Sequence, residues 1–288
     1  MPYWTVDAPG SLEFDDVRAL RVRLLAGSVA VLATGGKPSA EVTSIVGRPL
    51  QVRHEEGVLT ISYEDLTWEG LLEWLRPQRH SAAVTVAVPE ECPVQLGVVS
   101  ASAVVSGLSA GASVKGVSGE ITLDGVTGDV TAQTVSGPLE AQSVDGAIRF
   151  RSVSGDLTLA GGSLRRLDAD TVSGGVAADI DLERRGGIHV SSISGGVTLR
   201  LPAASDARVN MHSASGRVRS EFGSLRAVMS PASHSVSGNL GAGCGNISVT
   251  TVSGTVTLLR RPLHGTSRST GPYPRAPRTE EEMESETR

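Results

Sequence analysis

A Val-Ser-Gly triplet returns along most of this chain, and its spacing restricts the fold more than any other feature. Within "VSGEITLDGVTGDVTAQTVSGPLEAQSVDGAIRFRSVSGDLTL" the triplet glycines Gly119, Gly137 and Gly155 lie 18 residues apart, with Gly128 and Gly146 halfway between them. Further copies end at Gly174, Gly195, Gly216, Gly238 and Gly254, with intervals of 19, 21, 21, 22 and then 16. Two places after each glycine stand Ile121, Leu139, Leu157, Val176, Val197, Val218, Leu240 and Val256, all apolar. Four places after, the column is mostly Leu and Ala; two places before, it is Val117, Val135, Val153, Val172, Ile193, Ala214, Val236 and Val252. The residues between are polar or mixed, which is the period-two alternation of strands with one buried face.

A strand, corner and strand repeated every 18–22 residues predicts an all-β β-solenoid, in which each coil covers the next. Gly shares the inward parity because a side chain there obstructs the bend. The same logic places Val153 inward and Ser154 outward. The serine preceding each glycine occurs in all eight copies, from Ser118 to Ser253. A catalytic serine needs a single base and a single oxyanion hole, so eight copies read as side-chain-to-backbone bonding at corners.

The organisation follows. Residues 1–14 are a lead-in, 15–100 a degenerate β-repeat part, 101–260 the regular solenoid, and 261–288 a Pro-, Ser- and Glu-rich tail expected to be disordered. One segment departs from the strand pattern. In "DLTWEGLLEWLRP", Trp68, Leu71, Leu72 and Leu75 follow helical spacing and Pro77 ends it, so a short helical insertion is expected over 65–76. It contains two of the three tryptophans, and Trp68 and Trp74 are the candidate interaction residues: a cap over the coils, or an exposed anchor for a partner.

Chemistry-bearing motifs are sparse. "GLSAG" at 107–111 has the spelling of a nucleophile elbow but not its strand-turn-helix context. "GGKPS" lacks the first glycine and the hydroxyl residue of a phosphate loop, and the repeats lack the Asp turn of calcium-binding β-rolls. His212 and His234 both stand four places before a repeat glycine, so regular stacking places one above the other, where two imidazoles could share a metal. Their column also holds Lys115, Gln133, Arg151, Asp170, Ser191 and Thr250, the composition of a solvated face, and neither metal nor cofactor is expected. Asp124, Asp129, Asp145 and Asp156 are the available acids for a polysaccharide-acting β-helix enzyme, but only Phe150 and Phe222 are aromatic between residues 100 and 260, too few for a sugar platform.

A net charge of −5 argues against nucleic acid as a partner, and no apolar run of about 18 residues predicts insertion into a membrane. No secretory signal is visible, and Cys92 and Cys244 make no metal or redox spacing, so the cytoplasm is the expected compartment. The arginine bias, with only Lys37 and Lys115 as lysines, suits a GC-rich bacterial genome.

The repeated Val-Ser-Gly-Asp/Glu unit, led in by "VTVAVPEECPVQLGVVSASAVV", resembles the bacterial "putative adhesin" family of β-strand-repeat proteins, the toast-rack β-solenoids, over roughly residues 15–260. The resemblance brings no catalytic motif. It implies a non-enzymatic scaffold linked to adhesion or envelope signalling, with a protein partner and room for a homo-oligomer. A surface adhesin exported by an unrecognised route is the alternative, and the polysaccharide enzyme a second one.

Overall fold

A computed structural model of the chain describes residues 3–63, 80–230 and 233–262. The expected helix over 65–76 with Trp68 and Trp74, and all but the first residues of the expected tail, lie outside the described residues. Among the described residues every regular element is a strand. The N-terminal part holds β1 (Tyr3–Val6), β2 (Gly10–Glu13), β3 (Ala19–Ala33), β4 (Ser39–Val46), β5 (Leu50–Glu55), β6 (Val58–Tyr63) and β7 (Ser81–Val88). The long β8 (Val94–Ser106) leads to β9 (Ala112–Gly116), β10 (Ile121–Asp124), β11 (Thr127–Thr134), β12 (Leu139–Gln142), β13 (Asp145–Ser152), β14 (Leu157–Thr171), β15 (Val176–Ser192) and β16 (Val197–Pro202). The last part is β17 (Ala207–Ser213), β18 (Val218–Ser220), β19 (Arg226–Ser230), β20 (Ser233–Leu240), β21 (Gly245–Thr251) and β22 (Val256–Arg261).

These strands form two walls around one apolar core. The first wall runs in parallel from the end of β8 through β10, β12, the first halves of β14 and β15, then β16, β22 and β18. The second runs from the start of β8 through β9, β11, β13, the second halves of β14 and β15, then β21 and β17. At the N-terminal end β3 pairs with β8 along both walls, and antiparallel strands finish each side. At the other end β20 adds antiparallel to β17, and β19 antiparallel to β20. The antiparallel additions bring a change of direction to each end of a parallel stack, where open edges invite pairing with other chains.

The coils do not stack in chain order. β21 and β22, last in the sequence, lie between β15/β16 and β17/β18, so the final coil is intercalated between two earlier ones. The Gly238 copy of the triplet is therefore no corner: it sits within β20, opposite Val209 in an antiparallel pair.

The corners at Gly137, Gly155, Gly174, Gly195, Gly216 and Gly254 each use three devices, whereas at Gly119 the buried hydroxyl is replaced by Gly116. First, the glycines approach the backbone of the neighbouring coil so closely that a Cβ on Gly155 would enter the carbonyl oxygen of Gly137, and one on Gly174 that of Gly155. Second, a buried hydroxyl three places earlier accepts the glycine N–H: Thr134 from Gly137 at 2.9 Å, Ser152 from Gly155 at 2.7 Å, Thr171 from Gly174 at 3.0 Å. Third, the backbone N–H and the hydroxyl of Ser154 both donate to the Val135 carbonyl one coil away, at 2.8 and 3.3 Å. The same serine hydroxyl bond recurs at Ser118, Ser136, Ser173, Ser194, Ser215 and Ser253.

One inward assignment is overturned. Val135, Val153, Val172, Ile193 and Val252 are 47, 50, 43, 52 and 53% exposed, while the hydroxyl residues before them are buried. At the corner two successive side chains, the aliphatic one and the serine, both face out, so the alternation changes parity between the walls. The column two places after the glycine faces the core from Ile121 to Val256, and so does most of the column four places after, from Leu123 to Leu258, though Ser220 is half-buried and Ala242 exposed.

The corner chemistry sets a ranking for urea melts. Gly155→Ala should cost about 1–3 kcal/mol or more through overpacking, and Thr171→Val about 1–3 kcal/mol through an orphaned N–H. Val153→Asp should stay within about 0.5 kcal/mol as a surface change. A severe loss in Val153→Asp with a mild one in Gly155→Ala would reverse the corner geometry.

Candidate interaction surfaces

The parity change creates the first surface. Because Ser136, Ser154, Ser173, Ser194, Ser253 and Ser215 each bond the carbonyl of the residue one coil back, the aliphatic side chains stack in the order Val117, Val135, Val153, Val172, Ile193, Val252. At the roughly 4.8 Å spacing of paired strands they make a continuous ridge, and β-branched neighbours favour such lateral contact.

The second surface is the outer face of the second wall. Residues in register form columns across it. One column reads Arg53, Thr60, Arg21, Gln95, Ser113, Thr131, Arg149, Asp168, His189, Ser248, Asn210, Ser237 and Arg226. The next includes Arg23, Lys115, Gln133, Arg151, Asp170, Ser191, Thr250 and His212, and a third Asp129, Ala147, Arg166, Gly187, Asn246 and Arg208. Cations dominate, and the carboxylates in these columns are each paired. Asp168 meets Arg166 at 2.7 Å and Arg149 at 3.8 Å, Asp170 meets Arg151 at 3.6 Å, and Asp129 meets Arg165 at 2.6 Å. The first wall differs: its outer columns are Val104, Thr122, Glu140, Thr158, Ala177, Thr198, Thr257 and Arg219, beside Asp124, Gln142, Asp179 and Arg200. Among the described residues, positive charge is thus denser on the second wall than on the first.

That basic face contains a hollow. Arg165 drops out of register with both neighbours, and residues 183–186 stand out of the β14–β15 ladder. The two irregularities coincide and enclose about 450 Å³ lined by Arg165, Arg166, Asp168, Arg185, Gly187, Ile188, His189 and Asn246. A smaller hollow of about 190 Å³ lies near the N-terminal end of the face, among Arg21, Arg23, Gln95 and Lys115.

The residues singled out in the sequence fare differently. His212 and His234 do not stack, because β17 and β20 run antiparallel and pair His212 with Ser235 and Ser213 with His234. Adjacent positions of a strand point to opposite faces, and His234 Nδ1 lies 2.8 Å from the Gly216 carbonyl. Among the described residues no three His, Cys, Asp or Glu side chains gather as a metal would require. The four aspartates do not converge: Asp145 accepts the Ser163 N–H at 2.6 Å, Asp156 the Gly175 N–H at 2.7 Å, Asp129 holds Arg165, and Asp124 lies on the other wall. "GLSAG" is the turn between β8 and β9, with no helix after it. Two features escaped the sequence reading. The buried hydroxyl was visible as an invariant Ser or Thr three places before Gly137, Gly155, Gly174, Gly195, Gly216 and Gly254. The arginine-lined hollow had no local signature beyond the longer repeat containing "LERRGG".

The molecule is thus an all-β protein of stacked repeats with no catalytic constellation evident among its described residues. Residues 50–259 match the family model Toastrack DUF4097, and the chain belongs to that family. No curated protein matches it. Among solved structures it is similar to a "putative lipid binding protein" from Parabacteroides distasonis, at 12% identity and a TM-score of 0.46, covering 89% of this chain and 96% of that one. A "putative adhesin" from the same species gives 11% and 0.41, over 88 and 98% of the two chains. A "putative cell adhesion protein" from Clostridium sporogenes gives 9% and 0.25, over 88 and 100%. The family match carries the assignment.

If the aliphatic ridge is solvent-facing, the combined Val135→Thr, Val153→Thr and Val172→Thr variant should keep its thermal midpoint and bind less of an apolar dye. A collapse of the melt would mean that these side chains are packed.

Proposed function

We propose that the chain is a non-enzymatic, adhesin-like β-solenoid scaffold whose aliphatic ridge docks a protein partner. The ridge is the observation that carries this reading. Five Val and Ile side chains, each 43–53% exposed, stand in one unbroken row. Contiguous exposed apolar surface marks interaction sites more often than scattered apolar residues do. The corner serines cannot soften the row, because their hydroxyls are committed to the backbone.

The reading takes the cytoplasm as the compartment, supported by two unpaired thiols. Burial pushes the Cys92 thiol up to about 11, whereas Cys244 is exposed. A thiol reagent at neutral pH should therefore titrate one group rapidly in the native protein and two after denaturation. Two fast groups in the native state would show that Cys92 is accessible.

The docking role is tested by placing a photo-crosslinking residue at Val153 on the ridge, or at Thr158 on the first wall, and irradiating in cells. A discrete adduct from position 153 that is absent from 158 supports the ridge as the docking row. Equal labelling from both, or none from 153, overturns it.

A further inference from the structure

We propose that the hollow between the irregularities of β14 and β15 is a binding site for a phosphate group, with Arg166 and Arg185 as its principal contacts. This goes beyond the docking role of the ridge and rests on different residues. Three guanidinium groups line one hollow, and they are not equally engaged. Arg165 is held by Asp129 through Nη2, at 2.6 Å. Arg166 meets Asp168 through Nε, at 2.7 Å, which leaves its terminal nitrogens for a ligand. Arg185 has no hydrogen bond or ion pair among the described residues. The one lining carboxylate, Asp168, is already flanked by Arg166 and Arg149. Positive charge is therefore left over where the wall is concave.

The chemistry of the lining selects the ligand. Arginine presents a planar fork of N–H donors that matches the oxygens of phosphate in pairs. His189 and Asn246 add polar groups at the rim, and Ile188 is the sole large apolar residue of the lining. A volume of about 450 Å³ exceeds a bare phosphate and falls in the range of small-molecule sites, about 300–1,000 Å³. A phosphate monoester with a compact polar body fits both the size and the lining. Nucleic acid is disfavoured, since no aromatic side chain in the hollow offers a base a stacking surface. The monoester could come from a soluble metabolite or from a lipid headgroup, and the two sources are separable.

Calorimetry with glycerol phosphate and co-sedimentation with phosphatidylcholine vesicles, plain or containing phosphatidic acid, are run on the full chain. Variants are Arg185→Ala, Arg166→Gln and, as a control in the smaller basic hollow, Arg21→Ala. All three side chains are exposed, and a thermal melt confirms folding. Saturable binding of either probe, weakened about tenfold by Arg185→Ala and by Arg166→Gln but not by Arg21→Ala, supports the site. Binding of glycerol phosphate alone identifies a soluble ligand, and binding of the phosphatidic acid vesicles alone a lipid headgroup. Absence of binding to both probes overturns the proposal. So does equal weakening by Arg21→Ala, which would show attraction by the whole basic face rather than a site.

Discussion

The structure depends on how closely one backbone can pass another at a corner. Gly119, Gly137, Gly155 and Gly174 stack with nothing between the glycine α-carbon and the carbonyl of the previous coil, a contact that no other residue permits. Once that approach is made, the serine N–H and hydroxyl reach the next carbonyl and the buried Ser or Thr closes on the glycine N–H. From Gly137 onward the serine and glycine N–H groups at these bends thereby find partners, as buried backbone donors require. The walls need no further device than alternation between an apolar inner face and a hydrated outer one.

Stacking in register has an electrostatic consequence. A repeat places each residue beside its counterpart in the next coil, so a charge repeated at one position would sit about 4.8 Å from its own kind. The second wall answers this by exchanging sign between coils, as in Arg149 beside Asp168 and Arg151 beside Asp170. Where Arg185 joins the paired Arg165 and Arg166 without a carboxylate of its own, the ladder is also irregular and the surface becomes concave. Cation excess and hollow share one cause: the lengthened corners of β14 and β15.

The intercalated last coil ties the C-terminal strands into the stack. β21 and β22 each have parallel neighbours on both sides, so the stack between β15 and β17 is incomplete until the end of the chain arrives. Such pairing closes long loops and carries a correspondingly larger entropic cost than neighbouring-coil contacts. The short "GAGCG" turn that precedes β21 is pinned by Asp206, whose carboxylate accepts the Cys244 N–H at 3.0 Å. That hydrogen bond, first among several from the same turn, holds the Asp206 carboxyl below the usual carboxylate range.

The sequence by itself determined the period, the all-β character, the glycine requirement and the inward column two places after each glycine. These follow from sterics and hydrophobic alternation over a few residues, and Ile121, Leu139 and Leu157 carry them in plain sight. It also identified the corner serines as bonded to backbone rather than reactive. Only the tertiary structure decided that Val153 and its neighbours face water, because the parity of a strand after a bend depends on how many residues the bend consumes. Only the tertiary structure separated His212 from His234, since a strand reversal at β20 is invisible to a column count. The order of the last coils and the gathering of Arg165, Arg166 and Arg185 were likewise decided in three dimensions, where pairing joins strands that the chain keeps far apart.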